Sequence, residues 1–527
     1  PFRIAREAAA VGGKGAEKFL DELRIWRELA HNLCFHRHAE VESLEALPSW
    51  AKATLEAHSG DPREAVLSWE SLALGRTGDE LWDLCQQSLV RHGELHNNLR
   101  MTWGKAIPGW TGSPEQALAV LLDLNHRFAL DGSDPNSYGG LLWCLGLFDR
   151  PFEPEQQVLG SVRPRSTEGH AERLDVERYA SVVGRPAAGR QLDVGVVGAG
   201  LSGLICARTL ADHGHRVQIF EKGRGPGGRM SRRREGEWQF DHGAQYFTVR
   251  DGIFRRFVES WRHDGIVDRW DGRIAALDRG SWVLKDDDTE RYVGVPGMNA
   301  ICNHLAGELD TRYSTQVDSV RHADRRWQLL SDDENPLGSF DALVVSAPAP
   351  QTAALLESEA PAIAARAAAV DMAPCWAVMT VFDQSLELPY DGAFVADSPL
   401  SWVARNASKP ERPGHESWVL HGSPQWSRAH LELDAAEAAE LLLAAFGEAS
   451  GVRLPAPVHL RAHRWRYALP VEPRPEACLF DRELALVACG DWCAGPRVEG
   501  AFLSGVAAAG RILSLPSGEN QLRLFVP

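Results

Sequence analysis

The stretch Val194-Gly195-Val196-Val197-Gly198-Ala199-Gly200-Leu201-Ser202-Gly203 decides how the second half of this chain folds. The valines make a short buried strand that runs into three glycines spaced Gly198-x-Gly200-x-x-Gly203. Each glycine has its own task. Gly198 permits a tight turn and Gly200 lets the backbone approach a pyrophosphate. Gly203 lets the following helix pack closely, with its positive N-terminus facing the phosphates. Helix-forming residues continue from Leu204 to His213, and a second short strand, Arg216–Phe220, ends on Glu221. That acid is placed to accept hydrogen bonds from a ribose diol. A glycine triplet alone is a weak sign; strand, helix, second strand and acid together define a dinucleotide-binding unit that begins near residue 191.

Everything before that unit needs a separate account. The chain has 527 residues, too many for one core, so two domains are expected. It is 44% hydrophobic and 24% charged, the balance of an ordinary soluble protein. No apolar run approaches the ~20 residues that span a bilayer. No membrane partner is therefore expected; the first residue is Pro1, with no signal-like segment after it, which reads as a fragment or trimmed chain rather than a secreted one. Nine cysteines lie without paired spacing, fitting a reducing cytoplasm better than a disulfide framework and offering no thiolate metal site. The net charge of −16 argues against broad attraction to nucleic acid but not against a local basic groove.

From Glu17 to about Arg150 the pattern is helix, turn, helix. Phe19, Leu23, Trp26, Leu29, Ala30 and Leu33 recur at helical spacing. Asp61-Pro62 and Ser113-Pro114-Glu115 read as helix starts with proline at the first helical position. Asp131 to Asn136 is a turn-rich loop. Seven tryptophans lie here: Trp26, Trp50, Trp69, Trp82, Trp103, Trp110 and Trp143. For any one of them, filling a helical core is the better reading. A linker is expected at residues 171–190.

The residues after Glu221 continue the nucleotide theme. Gly227-Gly228-Arg229 would bring backbone amides and a guanidinium onto a pyrophosphate. Phe240-Asp241-His242-Gly243-Ala244-Gln245-Tyr246 follows, and Phe340–Ser346 is a fully buried strand. Near the end, strand Leu484–Cys489 leads to Gly490-Asp491-Trp492 and a small-residue helix starting near Val498. Asp491 is positioned for a ribityl hydroxyl or a phosphate-bridging water. The Val498 helix would aim its N-terminal amides at a flavin pyrimidine ring.

Two resemblances add to this reading. In the first half, Glu22 to Ala30, Leu81-Trp82-Asp83, His96 to Lys105, Leu124-Asn125, Leu130 to Tyr138 and Trp143-Cys144 occur in order. This series, over residues 15–170, resembles the FAD-binding helical domain of class II cyclobutane-pyrimidine-dimer photolyases. The resemblance implies that Asn125 sits near flavin N5, with Arg100 and Asp131 beside the isoalloxazine. It implies that Glu22 hydrogen-bonds the lesion and that Trp26 and Trp143 pack against it once it is flipped from the stack. Trp82, Trp103 and Trp110 resemble the tryptophan chain that passes electrons to the photoexcited flavin. Damaged DNA would then be a partner.

Residues 191–515 resemble the FAD-dependent amine-oxidase superfamily, and within it the renalase-like oxidoreductases. The phrases are Gly198–Gly203, Gly225–Met230, Phe240–Tyr246, His463 to Ala468 and Cys489–Trp492. This implies noncovalent FAD, with Glu221 on the adenosine ribose, Arg229 on the phosphates and Val317 lining the adenine. Trp465 and Tyr467 are candidates for the substrate face; packing a sheet edge is nearly as good a reading of them. Hydride transfer from a small electron donor, of dihydronicotinamide or amine type, and on to oxygen needs no dedicated acid or base. The expected fold is therefore multidomain. An all-α photolyase-type helical domain (1–170) precedes an α/β Rossmann-type FAD-binding domain (191–527) with an inserted antiparallel β substrate domain. The FAD parts are placed at about 191–250 and 480–515, and the substrate part at about 251–480. Gly198, Gly200, Gly203, Glu221, Gly228, Arg229, Val317, Asp491 and Val498 form the expected cofactor set, with no metal.

Overall fold

The computed structural model describes residues 2–185, 191–286 and 288–515. The chain divides into two compact units, Pro1–Ala188 and Gly189–Pro527.

The first unit is built from helices, and no named strand occurs among its described residues. Its principal helices are Arg27–His36, Ser49–Ala57, Glu80–His92, Asn97–Ala106, Pro114–Phe128 and Pro135–Trp143. Their ends follow local chemistry. The Asp79 side chain accepts from the Trp82 amide, and the Ser113 hydroxyl from the Gln116 amide with Pro114 at the first turn. Gly93 stops its helix in a left-handed conformation, φ 68°. The expected start at Asp61-Pro62 is absent. The Asp61 carboxylate instead holds His58 Nδ1 at 2.7 Å and the Val158 amide at 2.9 Å, and the next helix begins at Trp69 under a Ser68 cap. The stripe from Phe19 to Leu33 is interrupted by a π-helical turn, Glu22–Trp26, and only Ala30 and Leu33 are buried. The expected linker also needs correction. Residues 167–183 form two short helices, Thr167–Ala171 and Val176–Val183, because Leu174 and Tyr179 pack on the helical core and Val183 is buried. Residues 186–190 lie outside the described residues.

The second unit centres on a six-stranded sheet. Its order is Leu479–Asp481, Leu486–Ala488, Ala342–Val345, Asp193–Val197, Arg216–Phe220, Asp310–Arg312. All pairs are parallel except the first. Val194, Val196 and the whole of Ala342–Val345 are buried on this sheet, as central parallel strands require. The expected chain boundaries therefore shift: Asp310–Arg312 and Ala342–Val345, assigned from sequence to the substrate part, are strands of the nucleotide sheet. Parallel strands need long crossover connections, so one sheet gathers distant segments.

A seven-stranded sheet runs in the order His459–Pro470, Met372–Phe382, Glu416–Gly422, Leu400–Arg405, Gly392–Val395, Ile274–Asp278, Ser281–Leu284. It is antiparallel apart from the Gly392–Val395 and Ile274–Asp278 pair. The helix Ala435–Ser450 covers its back, burying Leu442 and Phe446 against Trp418 and Leu420.

Candidate functional site

Within the second unit the fingerprint opens onto a cavity. The helix Leu201–Asp212 starts at Gly200, which supplies no side-chain cap. A Cβ at Gly200 would meet nothing within 4 Å, whereas one at Gly203 would collide with the Gly198 carbonyl oxygen. Gly200 thus leaves amides facing open space, and Gly203 seals helix to strand. The helix Val498–Leu513 also begins without a side-chain cap. Two uncapped N-termini on one cavity leave orphan amide donors that suit the anionic and electron-rich parts of a flavin nucleotide.

The cavity has a volume of about 1420 Å³. Of the cofactor set, Gly198, Gly200, Glu221, Gly228, Arg229, Val317, Asp491 and Val498 all line it, together with Trp465 and Tyr467. Gly203 does not, because it is the packing glycine. Glu221 accepts the Ala199 amide at 2.8 Å and the Gly223 amide at 2.6 Å. Arg229 forks onto Asp491 with two bonds of 2.8 Å and also reaches the Ala468 carbonyl at 3.2 Å. Two residues assigned separate cofactor contacts are therefore paired with each other, which fixes the guanidinium plane on the cavity wall.

Several lining residues escaped the sequence reading. Register places His463, Ala377, His421, Trp402 and Phe394 in one row across five strands. All but Ala377 line the cavity, and Tyr246 leans on Trp402 at 5.4 Å between centroids. His242 sits beside this row, 4.9 Å from His463 and 5.0 Å from Trp465, whose indole nitrogen donates to the His242 carbonyl at 3.0 Å. Burial, reinforced by His463 and Arg233, holds His242 down to about 3. Burial and Lys409 hold His421 to about 4. These imidazoles are neutral at physiological pH. Period-2 alternation through His463, Trp465 and Tyr467 could have revealed the first of these residues; nothing local marks His421.

Behind the row lies a buried ionic cluster. Asp241 accepts from Arg412 Nη2 at 2.7 Å, from Lys409 Nζ at 3.4 Å and from the Met298 amide at 2.9 Å. Burial alone would raise its carboxyl, but the two cations outweigh burial and hold it below the ordinary range.

The helical unit holds its own constellation. Trp82 and Trp103 are fully buried and stacked at 6.0 Å, and Trp110 meets Trp82 edge-on at 5.3 Å. Trp26 stacks on Trp143 at 4.4 Å. Glu22 pairs with Lys18 at 2.6 Å. Arg100 binds Asp131 through two bonds of 2.9 Å. Asn125 is fully buried; its Nδ2 gives a long 3.5 Å contact to the Gly132 carbonyl, and its Oδ1 has no partner among the described residues. A buried amide oxygen left open is costly unless a ligand fills it, which fits a bound flavin. Among the described residues no His/Cys/Asp/Glu group could hold a metal ion, and no helix is long and apolar enough to cross a membrane.

Comparison with known proteins assigns a class to each part. The family described as flavin containing amine oxidoreductase matches residues 275–513, and that described as NAD(P)-binding Rossmann-like domain matches residues 196–261. The chain is a fusion of a photolyase-like N-terminal region with an amine-oxidase-like C-terminal half, and both parts imply FAD. Among its relatives, the deoxyribodipyrimidine photo-lyase of Oryza sativa subsp. japonica is 37% identical over 182 residues, 34% of this chain and 36% of that protein. That of Methanothermobacter thermautotrophicus is 37% identical over 179 residues, 34% and 39% of the two chains. A 4,4'-diapophytoene desaturase (4,4'-diaponeurosporene-forming) of Staphylococcus haemolyticus is 44% identical over 69 residues, 13% and 14% of the two. The chain thus spans between 30% and 39% of the length of these and two further photolyases it matches. A crystal structure of a protein assigned as a protoporphyrinogen oxidase from Exiguobacterium sp. 255-15 superimposes with a TM-score of 0.51 at 14% identity, over 62% of this chain and 99% of that one. That likeness is one of fold.

Proposed function

We propose that the chain is an FAD-dependent oxidoreductase that takes hydride from a small nitrogenous donor and passes the electrons to oxygen. The observation that carries this is the continuous cavity from the glycine fingerprint to the histidine and aromatic row. Its volume of about 1420 Å³ exceeds the roughly 300–1,000 Å³ of ordinary small-molecule sites, leaving room for a nucleotide and a donor together. Gly198, Gly200, Glu221, Gly228, Arg229, Val317, Asp491 and Val498 would hold the FAD. Bound there, FAD supplies the two-electron chemistry. The chain's own work is to orient the donor between Trp465, Tyr467 and the row, and to exclude water. Purified full-length protein should be yellow. Dihydronicotinamide isomers should bleach it without air, and air should restore the colour with formation of peroxide. Protein that stays colourless after incubation with FAD sinks the proposal.

A second reading concerns the helical unit: light-driven reversal of pyrimidine dimers in DNA. The three touching indoles Trp82, Trp103 and Trp110, with the Trp26–Trp143 stack and Glu22, favour it. Its test is repair of an irradiated oligonucleotide under blue light, abolished by Glu22→Ala and slowed by Trp103→Phe. Flavin-loaded protein that leaves the dimers intact rules it out.

A further inference from the structure

Two cysteines of the second unit face each other at the edge of the nucleotide sheet. The Leu343 amide donates to the Ala485 carbonyl, and the Cys489 amide donates to the Val345 carbonyl. Odd-numbered residues from Ala485 to Cys489 therefore bond towards Ala342–Val345, and even-numbered ones towards Leu479–Asp481. Leu479 is the ladder partner of Ala488. One step further, Cys478 stands opposite Cys489, at a position without ladder hydrogen bonds. The next step keeps the register: Gly490 donates its amide to the Ser504 hydroxyl at 3.0 Å, and that hydroxyl donates to the Ala477 carbonyl at 2.6 Å. Directly opposed residues share a face of the sheet. Cys478 and Cys489 accordingly pack into one hydrophobic cluster, whereas their neighbours Leu479 and Ala488 belong to the cluster on the other face.

This placement suits a disulfide. At positions without ladder bonds the two Cα atoms of an antiparallel pair lie about 4.5 Å apart, and disulfides take Cα separations of about 4.4–6.8 Å. Both residues are free thiols, Cys489 buried and Cys478 half-buried, so an oxidant reaches Cys478 first. Burial raises both thiols, Cys489 to about 12, but a hydrogen bond with Arg511 opposes the rise at Cys478. The Arg511 guanidinium also stands 6.0 Å from the ring centroid of Phe480, which packs on the same face. Cys489 runs straight into Gly490, a residue of the cavity lining, and Asp491, which holds Arg229.

We propose that Cys478 and Cys489 form an oxidation site, a thiol pair that a hydroperoxide converts into a reversible disulfide. The Cys478 sulfur, as thiolate, attacks one oxygen of hydrogen peroxide. The O–O bond breaks, the departing hydroxide takes up a proton as water, and Cys478 becomes a sulfenic acid. The Cys489 sulfur then displaces the sulfenic hydroxyl as a second water, and the S–S bond forms. Two thiols have given up two electrons and two protons, and one peroxide has become two waters. Capture by Cys489 spares Cys478 the irreversible step to sulfinic acid. Hydrogen peroxide is the product of the function proposed above, but the site does not rest on that reading, because the test adds the oxidant.

The full chain is exposed to hydrogen peroxide, its remaining thiols are alkylated, and the tryptic peptides are weighed. Cleavage after Arg482 separates the two cysteines, so peptides 467–482 and 483–497 should appear joined, lighter than their sum by two hydrogens. Reductant should part them. Fragmentation should place the link on Cys489 and not on Cys493, which shares its peptide. Cys489→Ser should abolish the bridge and raise sulfinic acid at Cys478 at least fivefold. Cys493→Ser should keep the bridge, as should Cys206→Ser, although Cys206 packs in the same cluster. A link through Cys206 or Cys493 overturns the proposal, as does sulfinic acid forming at Cys478 as readily in the parent as in Cys489→Ser. Should the variants fail to fold, the parent decides, and no joined peptide after peroxide overturns the site. A bridge in protein that takes up no FAD refutes the function proposed above and upholds this pair.

Discussion

At the residue scale, the last two glycines of the fingerprint do opposite work. Gly203 faces the Gly198 carbonyl and Ser346, so any side chain there must push helix from strand. Gly203→Ala should cost about 1–3 kcal/mol of stability, the range for overpacking. Gly200 has an extended φ of −77° and open space where a Cβ would sit. Gly200→Val should leave the denaturant midpoint nearly unchanged while FAD affinity, read by absorbance titration, falls at least tenfold. Equal effects at the two positions would contradict this division. Much of the site was legible at this scale. Glycine spacing, Glu221 and Asp491 carry their chemistry in local sequence, and the structure gathers them on one cavity. Trp402 and His421 lie far from the fingerprint, and only strand register brings them together, so no local pattern marks them.

At the element scale, the segment Phe240–Tyr246 ties the histidine and aromatic row to the buried cluster. Asp241 stands between Lys409 and Arg412, all three nearly inaccessible. Removing one partner of such a group strands the other charges, so Asp241→Asn should destabilise the second unit by about 3–5 kcal/mol, seen as a lowered urea midpoint. The neighbouring histidines set a pH dependence. His242 and His421 ordinarily titrate at 6.5 but are held to about 3 and about 4 in the fold. Between those values the unfolded chain takes up protons that the folded chain refuses. Stability is therefore complete above pH 6.5 and is lost as pH falls towards 4, by up to about 1.4 kcal/mol per pH unit for each group. The midpoint of the His242→Phe variant should decline less steeply with acidification than that of the parent; parallel slopes would refute this origin. Elements were legible where the period was clean: Arg216–Phe220 and the Val498 helix stand where the pattern put them. Asp61-Pro62 failed because a capping-type aspartate was recruited by a histidine and a distant amide instead.

At the scale of the whole molecule, the chain carries two independent sets of cores. One cluster draws only on the helical unit, and the others only on residues beyond 190. Scanning calorimetry should resolve two transitions. FAD at a hundred times its dissociation constant should stabilise the nucleotide-binding unit by about 2.7 kcal/mol and raise its transition. A single cooperative transition that shifts as one would argue against separate cores. The fusion itself was legible in sequence, because the ordered tryptophan phrases resemble one family and the mid-chain fingerprint opens a stretch that resembles another. Within the expected linker, 171–190, the helix Val176–Val183 forms under an Asp175 cap, and the turns that join it to Thr167–Ala171 carry no strong period of their own. One feature of the helical unit supplies its own reporter. The indoles of Trp82 and Trp103 lie nearly parallel, 12° apart, with no contact with solvent. Two chromophores held so close share their excited states, and circular dichroism should register this pair as a coupled band that vanishes when the helices part, whether or not any pigment is bound.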